Sequence, residues 1–325
     1  MDGSFVRGKI IAPGVLRELM QRSDLRGAVQ ASSHFGAIAL TGTGLWLTWG
    51  SWWAVPLFFA HGVLINFLYA GQHELSHGTP FKTKWPNEWL GRLIGFLLLY
   101  PRDFDLIQHT AHHKWTQDWA RDGELAREPY TLGTYLMWFL GPTYWYSRVA
   151  RLLRLARGVV LEPYIRPDQH AQVIREARVH LALYVGIAVI SILAQSWAAV
   201  ILWLAPMIAT KAVHQLQNTI EHLGLSHEDN ILENTRSTRT NMLMRWLCWQ
   251  MQYHTAHHAF PSVPFHRLRE LNREMTEGAG TPPHSMGYLQ FQVQVIAKLW
   301  GGKSEADYPY DEVWITASGA RVPLD

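Results

Sequence analysis

Charge is missing from two long stretches of this 325-residue chain. Residues 27–73 contain no Asp, Glu, Lys or Arg, and neither do residues 179–210. Cysteine is nearly missing as well. Cys248 stands alone, which excludes an internal disulfide, a zinc ribbon and a cysteine-held iron–sulfur cluster. There is no flavin or nicotinamide fingerprint and no His-Pro-Gly-Gly haem element. No solenoid repeat, low-complexity tract or nucleic-acid-gripping basic block occurs. The first apolar run starts too late and is too long for a cleavable leader.

The two uncharged stretches predict membrane spans. A crossing helix needs about 20 mostly apolar residues, so residues 27–73 hold two, with Gly50-Ser51-Trp52-Trp53 as the turn between them. The shorter stretch holds two more if Arg178 and Lys211 snorkel at its ends, with Gln195-Ser196-Trp197 as its tip. The fold class expected is therefore an all-α integral membrane protein of four transmembrane helices in two hairpins, near 33–49, 53–72, 179–195 and 198–214. A mean hydropathy of −0.07 is low for a membrane protein, so more than half of the chain belongs outside the bilayer, in interfacial helices and a helical cap. Neither tip carries charge, which puts all 29 Lys and Arg on one side. By the positive-inside tendency that side is cytoplasmic, with both termini on it.

These spans divide the chain into a polar N-terminal segment (1–26), a membrane domain (27–270) and a cytoplasmic tail (271–325), with residues after 278 loosely packed. A short amphipathic helix is expected at 15–22 and an interfacial helix at 85–100, whose apolar core is too short to cross. Residues 130–157 begin aromatic and end with Arg148, Arg151, Arg154 and Arg157 at every third position. That pattern fits an interfacial helix held by anionic membrane lipid, or a grip on an anionic substrate head.

What the chain has in excess is histidine, 17 in all. His109, His112 and His113 form H-x-x-H-H within HTAHH, and His254, His257 and His258 repeat it. One such box would arise by chance about 0.05 times in a chain this rich in histidine, so two are not accidental. On a helix each box projects three imidazoles in one direction, and imidazole is a ligand for zinc, copper, nickel and iron. His73 and His77, in His73-Glu74-Leu75-Ser76-His77, bring the count to eight, more than one ion can use, so two metals are expected. Asn218 and His222 offer a further i, i+4 pair. His214 is a candidate neighbour of a ligand. His34, His61 and His180 are expected to hydrogen-bond between helices, and His170, His227, His266 and His284 to lie at the surface.

HELSH, HTAHH and HTAHH in this order resemble the histidine boxes of the membrane fatty acid desaturase and hydroxylase superfamily. The resemblance extends over about residues 30–270, and the Asn218–His222 pair is similar to an N-x-x-x-H element of its stearoyl desaturase branch. It implies two Fe ions, one held by His73, His77, His109, His113 and His258. The other would be held by His112, His222, His254 and His257, with Asn218 reaching it through a water. Asp122 stands where the family has an acid after its second box, but in Asp122-Gly123-Glu124 rather than the common context, and is left as a partner for a ligand imidazole.

The resemblance further implies O2-dependent oxidation of an unactivated C–H bond in a lipid or acyl substrate, with desaturation the expected outcome. Hydroxylation and oxidative decarboxylation are the alternatives within the superfamily. A separate electron donor of ferredoxin, cytochrome b5 or reductase type is implied. HELSH also matches the H-E-x-x-H of zinc metalloproteases, which would leave six box histidines unused. A divalent-metal transporter would place its site near the bilayer midplane, whereas the boxes lie beyond the predicted spans.

Overall fold

A computed structural model describes residues 10–279 and 284–309. The expectations for the first nine residues, for Pro282-Pro283 and for the chain after 309 lie outside the described residues. The short helix α1 (Pro13–Leu19) has Pro at its first turn, where a missing N–H is harmless. The long helix α2 (Asp24–Thr48) is started by the Ser23 side chain, which accepts from the Arg26 N–H. A turn through Gly50, at φ +89, leads into α3 (Ala54–Ser76). Next come α4 (Lys84–Leu97) and α5 (Arg102–Lys114), then α6 (Leu132–Phe139), α7 (Pro142–Ala156) and α8 (His170–Leu193).

Among the described residues two helices are long and apolar enough to cross a membrane, Ala54–Ser76 and Pro167–Leu193. The other two expected spans look different. Helix α2 is 25 residues long but dotted with Gln30, Ser32, Ser33, His34, Thr41 and Thr43. The expected span at 198–214 is not one straight helix. A π-helical turn (Val200–Leu204) runs into α9 (Ala205–Ala209), and after a break at Thr210 the chain continues as α10 (Lys211–Ile220). Pro206, which lacks an N–H for the helix ladder, explains the irregular stretch. The outer faces of α2 and α8 carry Leu40, Leu47, Ile192 and Leu193, each at least 74% exposed. An apolar surface of that extent marks contact with lipid or a partner rather than water.

The helices approach closely around α3. A Cβ on Gly62 would lie 2.1 Å from the Pro206 carbonyl oxygen, so α3 and the start of α9 nearly touch through backbone. Asn66 seals the contact, its Nδ2 donating to the Met207 carbonyl at 2.7 Å and to Thr210 Oγ1 at 3.0 Å. Gly62→Val is therefore expected to cost about 1–3 kcal/mol through overpacking. It should appear as a lowered thermal unfolding midpoint in detergent; an unchanged midpoint would contradict the contact.

His34 and His61 join helices as expected: His34 Nε2 donates to the Leu64 carbonyl at 2.9 Å, and His61 Nε2 to the Leu202 carbonyl at 2.8 Å. His180 does not. It bonds within α8, 3.1 Å from Tyr184, and the Tyr184 hydroxyl makes the bridge to Phe96 of α4. Helix α4 covers most of the 85–100 segment, with Trp85, Trp89 and Leu93 on its exposed face.

Beyond α10 the chain forms α11 (Ile231–Asn234), strand β1 (Arg236–Thr238), α12 (Met242–Leu247), α13 (His254–Ala259) and α14 (Leu268–Ala279). Strand β2 (His284–Met286) pairs in parallel with β1, Arg236 opposite His284, and α15 (Tyr288–Leu299) follows. This corrects the expectation of loose packing after residue 278. Phe291, Val295 and Leu299, at helical spacing on one face of α15, are fully buried against Tyr135 and Ile220. Glu305 is also buried and bonds the Arg127 guanidinium and the Tyr130 N–H. His284, expected at the surface, is buried 3.2 Å from Glu233.

Candidate metal centre

Four elements converge at the end of α3. His73 lies on its last turn and His77 caps it. Helix α5 brings His109, His112 and His113, α13 brings His254, His257 and His258, and His222 follows the end of α10. Their ligand atoms fall into two groups, each within 4.8 Å: His73, His77, His109, His113 and His257 in one, and His112, His222, His254 and His258 in the other.

This grouping differs from the ligand sets implied by the resemblance, because His257 and His258 change places. The physical reason is the helix repeat. Residues i and i+4 project closer together than i and i+3 when the facing group lies along the axis, so His109 and His113 share one group and His254 and His258 share the other. The middle residue of each box, His112 or His257, turns toward the opposite group. Both boxes obey the same rule, and each links the two groups.

Ring nitrogens within a group face one another. The Nε2–Nε2 distances are 2.7 Å for His73–His257, 2.8 Å for His77–His109, 2.8 Å for His222–His254 and 3.2 Å for His112–His222. Two imidazole nitrogens bound at right angles to one ion, each about 2.1 Å from it, would be about 3 Å apart. Five mutually facing imidazoles cannot all satisfy one another by hydrogen bonding, whereas a cation at their centre would satisfy all of them.

Protonation fits the same role. Burial, followed by repulsion from the other rings, holds His109, His113, His254 and His258 well below the ordinary histidine range. Burial takes His222 and His257 to about 3. A metal ligand must be neutral, and burial favours that form here. His112 is the exception: burial works against its charge, but Asp122 and then Glu124 outweigh it and raise the ring to about 9.

The outward Nδ1 atoms meet a ring of acids and carbonyls, the arrangement that orients metal-bound histidines. His109 Nδ1 is 2.9 Å from Glu124, and His112 Nδ1 is 3.0 Å from both oxygens of Asp122. His222 Nδ1 donates to the Asn234 carbonyl at 3.1 Å. His257 Nδ1 lies 3.2 Å from Glu74 and His254 Nδ1 3.4 Å from Glu221, ion-pair distances without hydrogen-bond alignment. Glu74 also accepts from Thr79 Oγ1 and the Phe265 N–H, each at 3.1 Å.

Glu74 thus points away from the space between the histidines and is not placed to activate water as in a zinc protease. Sequence reasoning gave it no role, and it passed over Glu221 and left Glu124 unassigned. The signal that would have found Glu221 is its position next to His222. Asn218 stands one turn before His222 and, with His73, His112, His222, His254 and Tyr69, lines a cavity of about 510 Å³. His214 is buried 3.0 Å from Lys211 Nζ and borders the same cavity.

Comparison with known proteins matches residues 35–291 to the fatty acid desaturase family. The chain is 23% identical over 255 residues to a sphingolipid delta(4)-desaturase of Drosophila melanogaster, covering 75% of this chain and 72% of that protein. It is 22% identical over 244 residues to an sn-1 oleoyl-lipid 12-desaturase of Arthrospira platensis, covering 67% of each. It is 25% identical over 244 residues to an sn-1 acyl-lipid omega-3 desaturase (ferredoxin) of Synechocystis, covering 67% of this chain and 66% of that protein.

Proposed function

Because the chain belongs to the fatty acid desaturase family, we propose that it is a membrane-bound diiron oxidoreductase that introduces a C=C bond into a lipid acyl chain. The observation that carries this reading is the division of nine imidazoles into two facing groups joined by His112 and His257. When bound, two Fe ions would supply, with O2, the oxidising power to take hydrogen from an unactivated C–H bond. Two substrate hydrogens, two external electrons and two protons reduce one O2 to two waters, leaving an alkene.

The residues of this chain do the rest. His73, His77, His109, His113 and His257 would hold one ion, and His112, His222, His254 and His258 the other, with Asn218 approaching it through a water. Asp122, Glu124, Glu74 and Glu221 orient the rings from behind. The cap formed by residues after α10 closes the site from water, which keeps the oxidant for the substrate. The electrons come from a separate donor; one relative carries ferredoxin in its name, and a ferredoxin-like donor is the reading adopted here.

Helices α2, α3, α8 and the irregular rod through residues 198–214 are the four spans of this proposal, with the metal centre and both termini on the cytoplasmic side. Cysteines at Ser51 and Ser196 should label from outside, and one at the exposed Arg121 from the cytoplasm. Cys248 is buried and should stay silent. Any other pattern refutes the topology. For the chemistry, purified protein should hold close to two irons per chain, and lipid profiles of cells with and without it should differ by new double bonds. Hydroxyl groups or lost carbons in their place would move the reading to the other reactions of the superfamily; one zinc and no lipid change would end it.

A further inference from the structure

Three cations pack beside the histidine cavity with no carboxylate of the described residues at ion-pair distance. Two lie on α7, where the every-third-residue arginines do not share one face: Arg154 turns outward to Glu162, while Arg148 and Arg151 turn in. The Arg148 guanidinium sits 3.1 Å from the Tyr100 ring centroid and 4.7 Å from that of Tyr144, and its Nη1 is buried without a hydrogen-bond partner. Arg151 lies 4.1 Å from the Phe104 centroid. The third, Lys211, is 2% exposed, its ammonium 3.0 Å from His214 Nδ1 and 3.7 Å from the Tyr144 centroid.

Among the described residues, no acid forms an ion pair with any of the three. Asp105 and Glu124 act on the arginines only from beyond ion-pair distance, and Glu162 pairs with Arg154. Aromatic faces return part of the cost of burying a cation, and a buried charge without a counter-ion remains unfavourable. The field they create is visible at Tyr144. Burial alone would raise its phenol, but Arg148 and Lys211 outweigh it and pull the group below its ordinary range.

The cluster stands between two cavities. Arg151, Ser147 and His214 line the cavity that the imidazoles also line. Arg148 is the charged residue of a second cavity of about 600 Å³, whose walls are almost wholly apolar and include Leu152, Leu181, Ile187 and Trp203. We propose that Arg151, backed by Arg148 and Lys211, seats the oxyanion headgroup of an acyl-chain amphiphile, a carboxylate or a phosphate, at the edge of the cavity that the imidazoles line, so that the chain is presented to the metal centre. This deepens the desaturase reading and rests on it: the substrate is an anionic amphiphile, recognised by its head.

The test uses iron-loaded, full-length protein in neutral phosphatidylcholine nanodiscs, with dodecanoate, dodecyl phosphate and dodecanol as probes of one chain length. At least one anion should bind about tenfold or more tightly than dodecanol, and the stronger of the two identifies the head. Arg151→Gln and Lys211→Met should each erase that preference with iron content unchanged. Lys211→Arg, which keeps the charge, should retain it and guards against a folding defect in the methionine variant. Equal binding of dodecanol, or an anion preference that survives Arg151→Gln, overturns the proposal. Failure of the desaturase reading would show separately, as missing iron or missing double bonds in cell lipids, whatever the binding result.

Discussion

His257→Ala is expected to abolish lipid oxidation, with activity falling by more than about 100-fold, since even the partners behind metal ligands are worth about 10–100-fold. His257 turns from its own helix to the group containing His73, His77, His109 and His113. It is the one imidazole that α13 gives to that group, so its loss also cuts a tie between the two halves of the site. Membrane insertion should be unaffected, because α13 lies in the cap.

Metal analysis of paired variants tests the regrouping itself. His109→Ala with His257→Ala takes two ligands from one group and leaves four imidazoles in the other, so about one iron per chain should remain. His254→Ala with His257→Ala takes one from each and should leave less. The set with His258 in place of His257 demands the reverse order, so the two stoichiometries decide between them.

Asp122→Asn is expected to lower activity by about 10–100-fold, the range for a carboxylate behind a metal-bound histidine. Asp122 is 1% exposed, and both of its oxygens lie 3.0 Å from His112 Nδ1. It also accepts the backbone N–H groups of Gln117, Glu124 and Leu125 at 2.8–3.0 Å. The loop therefore aims the carboxylate, and the carboxylate aims His112, the α5 ligand that crosses to the second group. If Asp122 acts through metal affinity, excess iron should restore part of the lost activity. A loss that iron leaves untouched, accompanied by a lower unfolding midpoint, would reduce Asp122 to a loop-holding residue.

Asp122 illustrates how far the sequence could be read. Its unusual context, Asp-Gly-Glu, weakened the case for it, yet Gly123 is there for a local reason. A Cβ on it would lie 2.6 Å from the Gln108 carbonyl oxygen, so the loop needs glycine to pass α5. The arginines of α7 show the opposite outcome. Their regular spacing left open an anchor on anionic lipid or a grip on an anionic head, and no pattern within 130–157 announces that Tyr100 and Phe104, before and on α5, offer rings to two of them.

By itself the sequence determined which histidines the candidate site gathers. Charge deserts and i, i+3, i+4 histidines are local patterns, and a helix converts local spacing into a shared face without help from distant residues. The tertiary structure alone decided which imidazole joins which group, which acids stand behind the rings, and where Arg148, Arg151 and Lys211 gather. Each of those depends on the angle and separation at which α3, α5, α7, α10 and α13 meet. That geometry is set by close contacts such as Gly62 on Pro206, between residues far apart in the chain.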